Sequence, residues 1–140
     1  MSVVRLGSED EDRFRELIRL FGREFGEPAH PGNLAPLLGN PSFVALVALE
    51  EGDIRGGLTA YLLPSYEQTE PLTFLYDLAV DRAHHRQGWG RRLLEALQQI
   101  APADIFVAAH ARDKTALDFY RAGGGNEESV IHFTFSQTKP

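Results

Sequence analysis

Residues 76–94 read YDLAVDRAHHRQGWGRRLL, and this stretch constrains the chain more than any other. An apolar run ending at Val80 passes into a short polar loop. The loop closes in Gln87-Gly88-Trp89-Gly90, and an amphipathic helix begins there. Two glycines let the backbone come close to a ligand and leave several N–H groups exposed at a helix N-terminus. That is a cradle for an anion, suited to the pyrophosphate of a nucleotide cofactor.

The elements around it follow from local patterning. Val3 to Leu6 reads as a short strand. Ser8 with Glu11 forms a capping-box pattern, and Phe14, Leu17, Ile18, Phe21 and Phe25 repeat at helical spacing, which predicts a helix from about Glu9 to Phe25. Gly26 suits its C-cap, and Pro28 prevents continuation. The segment Glu27–Gly39 reads as a loop with one short helix near Asn33–Leu38. Phe43–Leu49 and Ile54–Leu63 are strands, with the Gly52-Asp53 pair as their hairpin turn. Thr73–Val80 is apolar except for Asp77, which predicts a central strand buried on both faces. The helix after the glycines carries Leu93, Leu94, Leu97 and Ile100 on one face, and Pro102 closes it. Ile105–Ala109 is a further strand. Asp113 caps a helix holding Ala116, Leu117, Phe119 and Tyr120, which Gly123-Gly124-Gly125 ends, and Val130–Phe135 is a last strand. The order β, α, short α, β, β, β, α, β, α, β predicts one α/β domain over residues 1–140, a central mixed sheet flanked by helices.

Composition removes several function classes. At 140 residues the chain is long enough to bury a core. It has no cysteine, which excludes disulfides, thiolate metal sites and cysteine nucleophiles and fits a cytoplasmic setting. The five histidines show no HExxH or HxH spacing, so no metal is expected. A net charge of −6 argues against a nucleic-acid partner and favours a cationic one. No apolar run reaches the roughly 20 residues needed to span a membrane, and MSVVRLGSEDEDR lacks the basic and apolar regions of a signal peptide.

The glycine loop fits neither common nucleotide motif. A third glycine is missing after Gly88-Trp89-Gly90, and GxxxxGK[ST] is absent. What remains is His85-Arg86-Gln87-Gly88-Trp89-Gly90 at the start of a helix. It resembles the Arg/Gln-x-x-Gly-x-Gly/Ala cofactor motif of the Gcn5-related N-acetyltransferase (GNAT) superfamily, with His85 departing from the usual first residue. Downstream, Asp113-Lys114-Thr115-Ala116-Leu117-Asp118-Phe119-Tyr120 resembles that family's Asn-x-x-Ala-x-x-x-Tyr segment, with Asp113 in place of Asn. A narrower resemblance is to the type I aminoglycoside 3-N-acetyltransferases. It rests on Leu20-Phe21-Gly22-Arg23-Glu24-Phe25-Gly26, Tyr61-Leu62-Leu63-Pro64 with Glu67-Gln68, Tyr76-Asp77-Leu78-Ala79-Val80, and His132-Phe133.

The resemblance implies a GNAT fold, acetyl-CoA as cosubstrate and a cationic small-molecule amine as acceptor, an aminoglycoside taking the acetyl group on the 3-amino group of its deoxystreptamine ring, and it suggests a homodimer. Leu78, Ala79, Val80, His85, Arg86, Gln87, Gly88, Trp89, Gly90, Arg91, Asp113 and Tyr120 then become the cofactor-binding residues. Acetyl transfer to an amine needs a base for the ammonium, polarisation of the thioester carbonyl and a proton for the departing thiolate. With no cysteine, direct transfer is the default mechanism. Tyr120 is the candidate acid, though it also lies on a core stripe of its helix. Asp77 and Glu24 are the candidate carboxylates for base and acceptor contact, and Glu67 and His110 are further acceptor contacts. Each of these also has a plain reading, as a structural aspartate or a solvated surface residue. The alternatives are the same class acting on another small amine, a polyamine or a protein N-terminus, and a non-catalytic acyl-CoA-binding module.

Overall fold

The elements of the unit Met1–Ala108 are β1 (Ser2–Arg5), α1 (Glu11–Phe25), α2 (Ala35–Leu38), β2 (Phe43–Glu50), β3 (Asp53–Leu63), β4 (Leu72–Val80), a 3-10 turn (Arg82–His84), α3 (Trp89–Ile100) and β5 (Ile105–Val107). These positions come from a computed structural model that describes residues 2–27 and 30–137. A second unit, Ala109–Pro140, holds α4 (Lys114–Ala122). The strands form one sheet in the order β1-β2-β3-β4-β5, antiparallel except for the parallel β4–β5 pair. The expected mixed sheet flanked by helices is therefore present.

The register assigns each face. Phe43, Ala45 and Val47 of β2 join Phe14, Leu17, Leu20 and Phe21 of α1 and Leu38 of α2 in one buried cluster. Gly57 of β3 lies on the same face, and a methyl there would run into Leu17 and the Leu46 carbonyl. The missing Cβ is thus what lets α1 sit down on the sheet. On the opposite face Val44, Leu46, Leu58, Ala60 and Leu75 are buried, and α3 contributes Trp89, Leu93 and Leu97. Fully burying each leucine contributes roughly 1.5–3 kcal/mol.

Strand β4 carries a bulge. Thr59 pairs with Asp77 and the next residue, Ala60, pairs with Leu75, so Tyr76 is the extra residue. An extra residue shifts every later side chain to the other face. Leu75 therefore faces α3, while Asp77 and Ala79 face α1, because their partners Thr59 and Gly57 lie opposite Ala45 and Val47. This corrects the expectation that β4 is buried on both faces throughout: Tyr76 is 57% exposed.

Other differences have local causes. The box of Ser8 and Glu11 does not form. Asp10 is the N-cap of α1 and accepts from the Gly7 N–H at 2.7 Å, while the Glu11 carboxylate accepts from the Leu34 N–H at 3.2 Å. The hairpin turn is Glu51-Gly52 rather than Gly52-Asp53. Both residues have positive φ, 51° and 84°, and Glu50 pairs with Asp53, as a two-residue type I′ turn requires. Gly26 caps α1 in the left-handed conformation as expected, and Pro28 lies outside the described residues. Within the unit Ala109–Pro140 the regular element among the described residues is α4, and no strand is described over Val130–Phe135, where the sequence predicts one.

Candidate active site

The glycine loop closes the unit β4–loop–α3. Asp81 caps the 3-10 turn by accepting from the Ala83 N–H at 3.1 Å, and its own N–H donates to the Arg55 carbonyl of β3 at 2.7 Å. Past the 3-10 turn the backbone turns left-handed twice, at Arg86 (φ 64°) and at Gly88 (φ 84°). Gly88 is the N-cap of α3, and no side chain caps that helix. A Cβ placed on Gly88 would meet nothing within 4 Å. Exposed N–H groups, a helix dipole and open space in front of them suit a phosphate group.

The side chains of the motif divide by what they touch. Trp89 is buried, and its indole N–H donates to Gln87 Oε1 at 3.1 Å, so it packs the helix start. His85 turns back: its Nε2 lies 2.8 Å from the Val80 carbonyl oxygen. Arg86, Gln87 and Gly88 are exposed, and Arg91 pairs with Glu95 at 3.5 Å along the helix. Leu78, Ala79 and Val80 form the last turnless stretch of β4, paired with Leu58, Gly57 and Gly56 of β3. The parallel ladder to β5 runs only over Thr73, Phe74 and Leu75.

Asp77 stands beside the bulge. Burial pushes its pKa up, and the nearby charge of Glu27 pushes it further in the same direction. Tyr61 on β3 has its phenol pKa raised by burial, then by Tyr76 and Asp77. The ring of Tyr61 meets that of Tyr76 edge-on at 5.7 Å, and Tyr76 meets Phe74 edge-on at 5.8 Å. The result is a carboxylate with an aromatic wall on one side and a second carboxylate within electrostatic reach. Glu27, Tyr61 and Tyr76 were not among the expected site residues. Tyr61 and Tyr76 lie inside recognisable segments, but only the bulge gives them this neighbourhood, and nothing in the sequence around Glu27 signals it.

Glu24 lies near the end of α1 with its side chain only 13% exposed. It is engaged with the loop after β4, not with Asp77: its Oε2 accepts from the Arg82 N–H at 3.3 Å, and its Oε1 lies 3.9 Å from both Arg82 Nε and His85 Nε2. Glu67 is exposed on the β3–β4 loop, where its N–H donates to Ser65 Oγ. In the second unit, the Asp113 carboxylate accepts from the Ala116 N–H at 3.1 Å and caps α4, as expected. His110 Nδ1 accepts from the Arg112 N–H at 3.2 Å. Tyr120 lies on α4, its ring 5.1 Å from that of Phe119. Among the described residues no group of three or more His, Asp or Glu side chains is arranged to hold a metal ion, and no helix is long and apolar enough to cross a membrane.

Comparison with known proteins agrees with this geometry. The family model described as "Acetyltransferase (GNAT) family" matches residues 12–124. Among solved structures, the aminoglycoside acetyltransferase meta-AAC0020 from an uncultured soil metagenomic sample, crystallised with trehalose, is 39% identical with a TM-score of 0.94, covering 98% of this chain and 96% of that one. The aminoglycoside acetyltransferase HMB0005, also from an uncultured soil metagenomic sample, is 32% identical with a TM-score of 0.92, covering 98% of each chain. The aminoglycoside N-acetyltransferase AAC(6')-Iy in complex with CoA shares the fold at 13% identity, with a TM-score of 0.76 over 98% of this chain and 100% of that one. No curated protein matches. The family model spans more than half of the chain, and relatives at 39% and 32% identity cover nearly all of it: the chain belongs to the GNAT acetyltransferase family.

Proposed function

We propose that this protein transfers the acetyl group of acetyl-CoA directly to an amine of an aminoglycoside, at the 3-amino group of the deoxystreptamine ring. The observation that carries the reading is Asp77. It is a partly buried carboxylate with a raised pKa, on the strand that runs straight into the glycine loop. A carboxylate whose proton is held more tightly than usual is a better base toward an ammonium. Relatives at 39% and 32% identity named aminoglycoside acetyltransferases support the acceptor class. The 3-amino position rests on the segments that resemble the type I enzymes.

The loop residues suit the cofactor. The backbone N–H groups of Gln87, Gly88, Trp89, Gly90 and Arg91 lie at the start of α3, which no side chain caps, and would hold the pyrophosphate. Acetyl-CoA supplies an activated acyl group whose carbonyl accepts electron density as the amine attacks. Asp77 takes the ammonium proton, directly or through one water, and Glu27 adds negative charge that attracts a polycationic acceptor and keeps the Asp77 proton affinity high. The exposed ring of Tyr76 offers a face to a sugar or cyclitol ring. Tyr120, the last residue of the Asp113–Tyr120 segment, is the acid that the resemblance to the family's motif implies, and its role is to give the departing thiolate a proton.

Thiol release from acetyl-CoA tests the reading against its rivals. Kanamycin- or gentamicin-type amines should turn over with kcat/KM well above that for spermidine or a peptide N-terminus. Preference for a polyamine or a peptide would assign a different acceptor, and CoA binding without turnover on any amine would make the protein a binding module.

A further inference from the structure

The conformation of the glycine loop is set from outside the loop. Gly88 takes its left-handed conformation without strain, but the non-glycine Arg86 two positions earlier, at φ 64°, is costly unless its surroundings impose it. A non-glycine residue in that region costs roughly 1–2 kcal/mol. The segment Val80–His85 just upstream is where restraint is applied, and it comes from three directions. From β3, the Arg55 carbonyl accepts from the Asp81 N–H. From within, Asp81 caps the 3-10 turn. From α1, the nearly buried Glu24 carboxylate accepts from the Arg82 N–H at 3.3 Å and stands 3.9 Å from both the Arg82 guanidinium and the His85 ring. His85 completes the tie by reaching the Val80 carbonyl at 2.8 Å, so its ring joins the end of β4 to the residue that precedes Arg86.

From this geometry we infer that Glu24 is a positioning residue: it fixes the β4–α3 loop in the shape that binds the CoA pyrophosphate, and it does not contact the acceptor amine. The inference rests on the reading of the loop as the CoA site. Glu24 accepts from the first backbone N–H of the 3-10 turn, and its charge strengthens that hydrogen bond. His85, which replaces the usual motif residue, acts through the same tie. Its side chain braces the loop, and the cofactor is left to the backbone. Glu27 rather than Glu24 is the carboxylate whose charge Asp77 feels. The two glutamates, Glu24 in the last turn of α1 and Glu27 just past its Gly26 cap, therefore serve the two sides of the reaction separately.

The test compares Glu24→Ala, which removes the oxygen, with Glu24→Gln, which keeps an oxygen for the Arg82 N–H. Calorimetry with CoA and steady-state kinetics with the acceptor are measured on the full chain. Glu24→Ala should weaken CoA binding about tenfold, the loss of one charge-assisted hydrogen bond. Its acceptor KM should stay within twofold or so of wild type, and Glu24→Gln should recover most of the CoA affinity. A raised acceptor KM in Glu24→Gln with unchanged CoA affinity overturns the inference. That variant decides the matter alone if Glu24→Ala fails to fold. Failure of the underlying reading looks different, because wild type itself would then not bind CoA.

Discussion

Replacing Asp77 by Asn separates catalysis from stability, because the account predicts opposite signs for the two. The amide keeps the shape of the side chain but cannot take a proton. A positioned general base contributes about 10²–10⁴-fold. Turnover should fall by that factor, equivalent to about 2.7–5.4 kcal/mol at 1.36 kcal/mol per tenfold. Folding should respond the other way. The Asp77 pKa is raised from its ordinary value of 3.8 by burial and by Glu27, so the folded chain holds this proton more tightly than the unfolded chain does. Its contribution to stability is therefore greatest below 3.8 and is lost as pH rises through the raised folded value. At neutral pH the buried charge opposes folding, and the Asn variant escapes that penalty. Thermal melts near neutral pH should show Asp77→Asn at least as stable as wild type, with the difference shrinking in acid. CoA affinity, read by calorimetry, should be unchanged. Full activity in the variant, or an activity loss that tracks a lower melting temperature, would refute the reasoning.

The neighbouring charge gives a second test. Glu27→Gln removes one cause of the raised Asp77 pKa, so the acidic limb of the kcat/KM profile should move to lower pH, and a polycationic acceptor should show a higher KM. Gly88→Val forces a β-branched residue to φ 84° and puts a side chain into the open space before α3. Melting should show a loss of about 1–2 kcal/mol, and CoA affinity should drop at least tenfold; unchanged affinity in a folded variant would move the cofactor elsewhere. Tyr120→Phe should lower kcat much more than it weakens CoA binding, since a proton given to the thiolate matters mainly in the transition state. Equal turnover with chemistry rate-limiting would remove that role.

Most of the scaffold was legible because its signals are local. Periodic apolar residues place α1 and α3, β-formers place β2 and β3, and Gly88 and Gly26 mark a helix start and a helix end through their φ requirements. The bulge was not legible. Nothing in Thr73–Val80 says that Tyr76 is an extra residue, because a bulge is defined by the partner strand, and without it Asp77 reads as a neighbour of Leu75 on one face. The same holds for Glu24. Its place near the end of an amphipathic helix was readable, but the partners that give it a role lie 58 and 61 positions later, at Arg82 and His85. Glu11 illustrates the converse: a local capping pattern gave way to a tertiary bond to Leu34, 23 residues away.

Product structure tests the central claim most directly. The protein is incubated with acetyl-CoA and a gentamicin- or sisomicin-type aminoglycoside, and the product is examined by mass spectrometry and two-dimensional NMR. The account predicts a singly acetylated product whose new amide lies on the 3-amino group of the deoxystreptamine ring, formed with one thiol released per acetyl transferred. An amide on a different amine would contradict the assigned position, and no acetylated product from any aminoglycoside would contradict the function itself.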